Sequence, residues 1–274
     1  MDHAAALFSF FSSPALDLGC SLCLVSTETA HIIRNAFGIF GNVVSLLLYF
    51  TPILTFKRVI KNKSTEEFSV VPYVAALLNS VLYTLYGSPL ASVGWENVHV
   101  FTINGIGCFM ETAFIAIYFW YATPTKKITV TFIMVPVIVF CSSMLAMSTL
   151  LNDHHLRHTI LGSFGFFASA SMYGSPLVAV KQVIATKSVE FMPLNLSLFS
   201  FLTSFAWMMY ALLGNDILLA SPNFIGVPLG ILQLVVYAIY SKYKGRTEET
   251  NKSDLEKQEV ADLTTPLITN DVNN

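Results

Sequence analysis

Two asparagines, Asn104 and Asn223, open apolar stretches in the same way. Each is followed three residues on by a glycine, Gly107 and Gly226, and fourteen residues on by a tyrosine, Tyr118 and Tyr237. A carboxamide offers one acceptor and two donors, a set that suits hydroxyl groups, which both donate and accept. Tyr83 and Trp207 form a second matched pair, 124 residues apart. Rings on either side of a polyhydroxylated ring bury its C–H faces while amides take its hydroxyls, the division of labour of many small-molecule pockets. Each pairing has a structural alternative: asparagines also join helices inside a membrane, and Tyr and Trp gather at membrane interfaces whatever their role. Ser45, Asn79, Glu111 and Thr203 are further polar residues deep in apolar runs. An unpartnered polar group there costs several kcal/mol, so each must face a partner, a cavity or a path.

The elements that must position these residues are membrane helices. The chain has 274 residues, 54% of them apolar and only 12% charged, with mean hydropathy +0.62, against the roughly 25% charged of a soluble domain. Apolar spans near the ~20 residues that cross a bilayer fall at 35–56, 69–91, 100–121, 129–151, 160–184, 194–214 and 223–241. An internal duplication runs through them, the first pattern to look for in any chain. One offset of 124 carries Gly38, Gly41, Ser45, Tyr49, Pro52, Lys57, Lys63, Ser64, Glu66 and Tyr86 onto Gly162, Gly165, Ser169, Tyr173, Pro176, Lys181, Lys187, Ser188, Glu190 and Tyr210. From Asn104 onward the offset is 119, and the five-residue change falls in a loop, where indels are tolerated. The fold class expected is thus all-α, seven transmembrane helices arranged as two three-helix repeats with one linker helix between them (3+1+3). Because three is odd, the linker gives both repeats the same orientation, and they are parallel about an axis along the membrane normal. The domain reading is 1–34 as an extension, 35–122 as the first repeat, 123–158 as linker helix and loops, 159–243 as the second repeat and 244–274 as a polar, disordered tail.

Charge placement orients this arrangement. Segments 57–68, 122–128 and 181–193 and the tail hold 13 of the 15 basic residues, which by the positive-inside rule puts the N-terminus outside and the C-terminus in the cytosol. The sequons at Asn62 and Asn251 fall on the cytosolic side, where glycosylation does not occur, and are chance matches. The net charge of −2, without a basic stripe, excludes nucleic acid as a partner. Cys20 and Cys23 form a lone C-x-x-C without the strand–helix setting of a redox motif. Asp153, His154, His155 and His158 have metal-ligand chemistry but sit in a short loop read as exposed, and no metal is expected. Glu111 is the carboxylate well inside a span; at offset 119 it meets Gly230, so it has no mate, and a hydrogen bond at a helix interface is favoured over proton coupling. Pro52, Pro72, Pro176 and Pro193 lie toward the cytosolic ends of the first two helices of each repeat, where proline removes a helical hydrogen bond and can act as a hinge. Pro72 and Pro193 do not share the offset, since Pro72 maps onto Leu196 and Pro193 onto Ser69.

Taken together, Gly41-Asn42, Pro52 to Lys57, Lys63 to Phe68, Thr102-Ile103-Asn104, Lys187 to Pro193 and Pro222-Asn223 resemble the plant SWEET sugar transporters over about residues 35–243. The resemblance implies a passive, bidirectional uniporter working by alternating access, not an enzyme, with no cofactor. It implies Asn104 and Asn223 as the sugar-binding amides, Tyr83 and Trp207 as flanking aromatics, and Ser45, Asn79, Met172 and Thr203 as pocket-lining positions. It also implies Tyr86 and Asp216 as an extracellular gate, and the four prolines as a cytosolic hinge set. Leu77-Leu78-Asn79-Ser80 is similar to the hexose-preferring branch, so the substrate expected is glucose or a related hexose. The other partners expected are the bilayer and further copies of the chain.

Three alternatives are weighed. A sucrose-preferring facilitator differs only in substrate. A proton-coupled small-solute transporter of the PQ-loop type is disfavoured because Ile53 and Leu177, not Gln, follow Pro52 and Pro176. A seven-helix receptor has no use for a duplicated half. The expected location is the plasma membrane, with the vacuolar membrane as the alternative.

Overall fold

The computed structural model describes residues 27–241. The C-x-x-C, most of the N-terminal extension and the polar tail lie outside the described residues. Every regular element among those residues is helical. They are α1 (Thr27–Phe50), α2 (Pro52–Asn62), α3 (Val71–Gly87), α4 (Val98–Tyr121), α5 (Pro124–Leu150), α6 (His154–Met172), α7 (Gly174–Thr186), a 3₁₀ turn (Val189–Phe191), α8 (Leu194–Leu213) and α9 (Ile217–Ala220). A last helix, α10, follows over 223–241. With α1–α2, α6–α7 and α9–α10 each running as one span, the chain passes seven times between two faces. Five of these spans are long and apolar enough to cross a membrane, α1–α2 being one continuous 35-residue stretch, and α3 is a shorter apolar helix. We call the two ends of the bundle the Arg34 face and the Lys57 face.

The breaks inside two of the spans come from proline. Pro52 has no N–H, and the Leu48 carbonyl that it would have met accepts instead from Thr51 N at 3.0 Å, which ends α1 and starts α2. In the second repeat α6 stops at Met172, four residues before Pro176, which stands in the first turn of α7. Pro72 is in the first turn of α3 and Pro193 is the N-cap of α8. These two start equivalent helices rather than interrupt them. Pro136 stays inside an unbroken α5.

The repeated Lys-Ser-x-Glu is a helix-ending turn. Lys63 (φ 51°) and Lys187 (φ 54°) take the left-handed conformation just past α2 and α7, and the following serines, Ser64 and Ser188, accept from the N–H groups of Glu66 and Glu190 at 3.1 and 3.4 Å. The two halves then diverge in what they attach. In the first, Arg58 holds the Glu66 carboxylate at 2.6 Å and Lys126 donates to the Glu66 carbonyl, which ties α5 to this turn. The Arg58 and Asn62 hydrogen bonds lower the pKa of Glu66, which is half-buried.

The repeats interlock reciprocally: α1 packs on α8, and α6 packs on α3. One buried cluster spans both repeats near the Arg34 face, built from Leu82, Tyr83, Tyr86, Val100, Leu161, Tyr210 and Leu219 among others. At the Lys57 face no buried cluster is shared between the two repeats: one gathers Phe56, Val59 and Phe114 with Val130 of the linker α5, and the other Val180, Val183 and Met192. Among the described residues the bundle is therefore sealed at one face and divided at the other. The linker α5 presents most of its surface outward, with Ile128, Phe132 and Val139 well exposed, as a lipid-facing helix should.

In the first repeat the end of α3 lies against the backbone at the start of α4. A Cβ on Gly87 would lie 2.7 Å from the Phe101 backbone nitrogen and 3.0 Å from the Asn97 carbonyl oxygen, and neither can swing aside. Gly87→Ala is expected to cost about 1–3 kcal/mol, in the range of overpacked sites, and so to lower the thermal unfolding midpoint of the purified protein in detergent. A midpoint equal to the parent's would show that the crossing has slack.

Candidate functional site

Midway along the bundle lies a cavity of about 170 Å³. It is lined by Ser45, Tyr49, Asn79, Tyr83, Val100, Ile103, Asn104, Ser169, Tyr173, Thr203, Trp207, Leu219, Pro222 and Asn223. Every one of these residues has its repeat-mate in the same wall. Offset 124 pairs Ser45 with Ser169, Tyr49 with Tyr173, Asn79 with Thr203 and Tyr83 with Trp207. Offset 119 pairs Val100 with Leu219, Ile103 with Pro222 and Asn104 with Asn223. The cavity thus lies on the pseudo-twofold axis.

Each carboxamide is held identically. Asn104 Nδ2 donates to the Val100 carbonyl at 2.9 Å, and Asn223 Nδ2 donates to the Leu219 carbonyl at 3.1 Å. One donor is spent on the helix, which fixes the amide, and an acceptor and a second donor remain on each for a ligand. Asn104 sits seven residues into α4, whereas Asn223 opens α10 after the turn at Ser221-Pro222. The local backbone differs, but the side-chain anchor is the same.

The aromatic pair is seated reciprocally as well. A Cβ on Gly41 would lie 3.1 Å from the Trp207 ring, and one on Gly165 would lie 3.0 Å from the Tyr83 ring, so each ring rests on a mated glycine of the other repeat. Trp207 Nε1 donates to Ser45 Oγ at 3.1 Å, and Ser169 Oγ donates to Asn79 Oδ1 at 2.8 Å. Beneath them Tyr49 shares a 3.2 Å hydrogen bond with Ser80, and Tyr173 donates to the Pro222 carbonyl at 3.0 Å. The buried hydroxyls of Tyr83 and Thr203 have no hydrogen-bond partner among the described residues, and both line the cavity. Polar atoms left in that condition are sites for a bound hydroxyl.

Asn104, Asn223, Tyr83, Trp207, Ser45, Asn79 and Thr203 therefore share one wall. Met172 does not: it lies at the end of α6, 38% exposed, and its neighbour Tyr173 takes the place expected of it. Adjacent residues on a helix point about 100° apart, which is enough to turn one away from the cavity. Ser169 is legible from the duplication as the mate of Ser45, whereas Tyr49 and Tyr173 are mates of each other with no expected site residue to point to them. Glu111 is buried one turn past Gly107 with Oε2 unpartnered, and it is not in the cavity wall.

The Arg34 end of the cavity is closed by Tyr86 and Tyr210, both fully buried. Tyr86 donates to Asp216 Oδ1 at 2.5 Å, and His158 Nε2 stands 3.6 Å from Asp216 Oδ2. Of the histidine cluster, Asp153, His154 and His155 are exposed as expected but cap and begin a helix rather than form a loop, and His158 is half-buried. Asp153 caps α6 by accepting from the Leu156 N–H at 3.1 Å, the histidines form its first turns, and His158 belongs to this closure. No metal-ligand cluster occurs among the described residues.

Set against known proteins, the chain matches the family model described as "Sugar efflux transporter for intercellular exchange" over residues 35–126 and 159–245. It is 55% identical over 228 residues to the bidirectional sugar transporter SWEET3b of Oryza sativa subsp. japonica, covering 83% of this chain and 90% of the rice protein. It is 54% identical over 224 residues to SWEET3 of Arabidopsis thaliana, covering 81% and 82%. Among solved structures, a eukaryotic SWEET transporter determined at 3.7 Å aligns with a TM-score of 0.74 at 36% identity, over 78% of this chain and 99% of that one.

The closure carries its own pH dependence. Burial, the largest influence on the Asp216 carboxyl, raises its pKa, but the His158 contact, the Tyr86 hydroxyl and the Leu219 N–H at 3.0 Å together outweigh it and hold the group below the ordinary aspartate value. A folded-state pKa below the unfolded one, about 3.9, gives stability that is fully present above that value and lost as pH falls through the lowered one. Asp216→Asn is therefore expected to lower the unfolding midpoint in detergent at every pH from neutral down to about 4, the ordinary range of the free carboxyl. The gap should close only below that. A gap that closes between pH 7 and 5 would contradict the assignment.

Proposed function

The chain belongs to the SWEET family of sugar transporters, and from that membership we propose that it is a passive, bidirectional hexose uniporter, with glucose or a close relative as substrate. The observation that carries the proposal is the pseudo-twofold cavity, with its two identically anchored carboxamides and its aromatic pair. Asn104 and Asn223 take sugar hydroxyls, Tyr83 and Trp207 bury the C–H faces, and the free hydroxyls of Tyr83 and Thr203 accept or donate to the remainder. A volume of about 170 Å³ lies below the roughly 300–1,000 Å³ of drug-sized pockets, which favours a monosaccharide over a disaccharide. Among the described residues no carboxylate, lysine or histidine lines the wall, which supports passage of sugar without a proton taken up in the site.

Alternating access has support in the two faces. With the cluster at the Arg34 face shared between repeats and those at the Lys57 face separate, one opening is closed while the other is not. The Pro52 and Pro176 breaks lie between the cavity and the divided face, where hinges are needed. By the distribution of lysine and arginine, the Arg34 face is extracellular and the Lys57 face cytosolic, with the plasma membrane as the proposed location.

Radiolabelled glucose and sucrose flux in a transport-deficient cell tests the substrate and the coupling together. Glucose should move down its gradient at the same rate with and without a proton gradient, and sucrose should move poorly. Flux that stops when the proton gradient is collapsed would favour the proton-coupled alternative and point to Glu111. Asn104→Ala and Asn223→Ala each remove hydrogen bonds worth about 0.5–1.5 kcal/mol apiece, so each should reduce flux about ten-fold or more at equal surface expression. Normal flux in either variant would return that asparagine to a purely structural role.

A further inference from the structure

The closure by Tyr86, Asp216 and His158 has a counterpart in the other repeat. Offset 124 relates His158 to Arg34 and Tyr86 to Tyr210, and offset 119 relates Asp216 to Asn97. The counterparts also touch. Arg34 Nη2 donates to Asn97 Oδ1 at 2.8 Å, the Arg34 guanidinium lies 4.5 Å over the Tyr210 ring, and the Tyr210 hydroxyl donates to the Glu96 carbonyl at 3.0 Å with Asn97 Oδ1 at 3.4 Å. We propose that Arg34, Asn97 and Tyr210 form a second latch at the same face, and that the cavity opens there only when both latches release.

The latch is built rather than incidental. Asn97 is 2% exposed, and the guanidinium lies so close over Gly214 that a Cβ there would stand 2.7 Å from it. Like the first latch, it joins the two halves, because Tyr210 comes from α8 while Arg34 lies on α1 and Asn97 is the N-cap of α4. The two latches are joined through Ser92. Asn97 Nδ2 donates to Ser92 Oγ at 3.1 Å, and Ser92 Oγ donates to the Tyr86 carbonyl at 2.8 Å. Arg34, Glu96, Asn97, His158 and Asp216 together line one polar recess of about 300 Å³ just outside the tyrosines.

Their chemistry is unequal, and that gives the test its sign. The first latch has a carboxylate at its centre. The second has a neutral amide facing a permanent cation, and Arg34 Nε is buried without a partner. Asn97→Asp would supply a second oxygen to the guanidinium fork, the two-toothed pairing that Arg forms best, whereas Asn97→Ala and Arg34→Ala remove the bond. The proposal rests on the transport reading, and its readout is independent of the sugar.

Val100→Cys, in the cavity wall, serves as reporter in a chain whose native cysteines are replaced, and a membrane-impermeant methanethiosulfonate is supplied from outside intact cells without sugar. Surface amounts are normalised with a tag. Arg34→Ala and Asn97→Ala should raise the labelling rate several-fold, and Asn97→Asp should lower it below the parent's. Unchanged rates in the alanine variants, or faster labelling in Asn97→Asp, would overturn the latch. If Arg34→Ala fails to reach the surface, the opposite signs of the two Asn97 variants still decide. A wild-type chain that carries no hexose, with the reporter chain labelling as expected, would refute the substrate and leave the latch standing.

Discussion

Trp207 resting on Gly41, and Tyr83 on Gly165, is the contact on which the rest depends. Between helices in a bilayer there is no hydrophobic driving force, because lipid tails are as apolar as leucine, and close packing and hydrogen bonding must hold the repeats together. A bare Cα lets a large ring approach the opposite helix, and the ring then forms both the joint between repeats and the wall of the cavity. Because the arrangement occurs twice, the site falls on the axis, and a ligand there touches both halves at once. A substrate that bridges two moving bodies can respond to, and bias, how they sit relative to one another.

That geometry also explains the distribution of polar groups. At the cavity, the two halves carry similar chemistry: amide opposite amide, aromatic opposite aromatic, serine opposite serine. At the Arg34 face the same positions have diverged into His158–Asp216 and Arg34–Asn97. A polyhydroxylated ring offers similar groups around its edge, so a near-symmetric wall serves it from either side. A closure need not be symmetric, since its parts bond to each other and not to the substrate.

The Lys57 face differs in kind. There each repeat has its own buried cluster, and the connecting turns are held by local hydrogen bonds rather than by contacts across the axis. The first half adds Arg58 to Glu66 and Lys126 to the Glu66 carbonyl, which ties α5 to the turn of the first repeat. The helix breaks before Pro52 and Pro176 stand between this divided face and the joined centre.

The sequence by itself determined the membrane class, the seven spans, the duplication and the pairs Asn104–Asn223 and Tyr83–Trp207, because hydropathy and repeat register are one-dimensional properties. It also carried the equivalence of Ser45 with Ser169 and of Tyr49 with Tyr173, though not the knowledge that all four face one cavity. Only the tertiary structure decided direction. It turned Met172 outward and Tyr173 inward, which a step of about 100° along a helix settles and an offset cannot. It moved His158 from a supposed loop to a carboxylate, and it set Arg34 over Tyr210 across 176 residues of sequence. Offsets say which residues are equivalent. Which of them meet depends on how two three-helix bodies pack, and that packing is fixed by side-chain volume at glycines far apart in the chain.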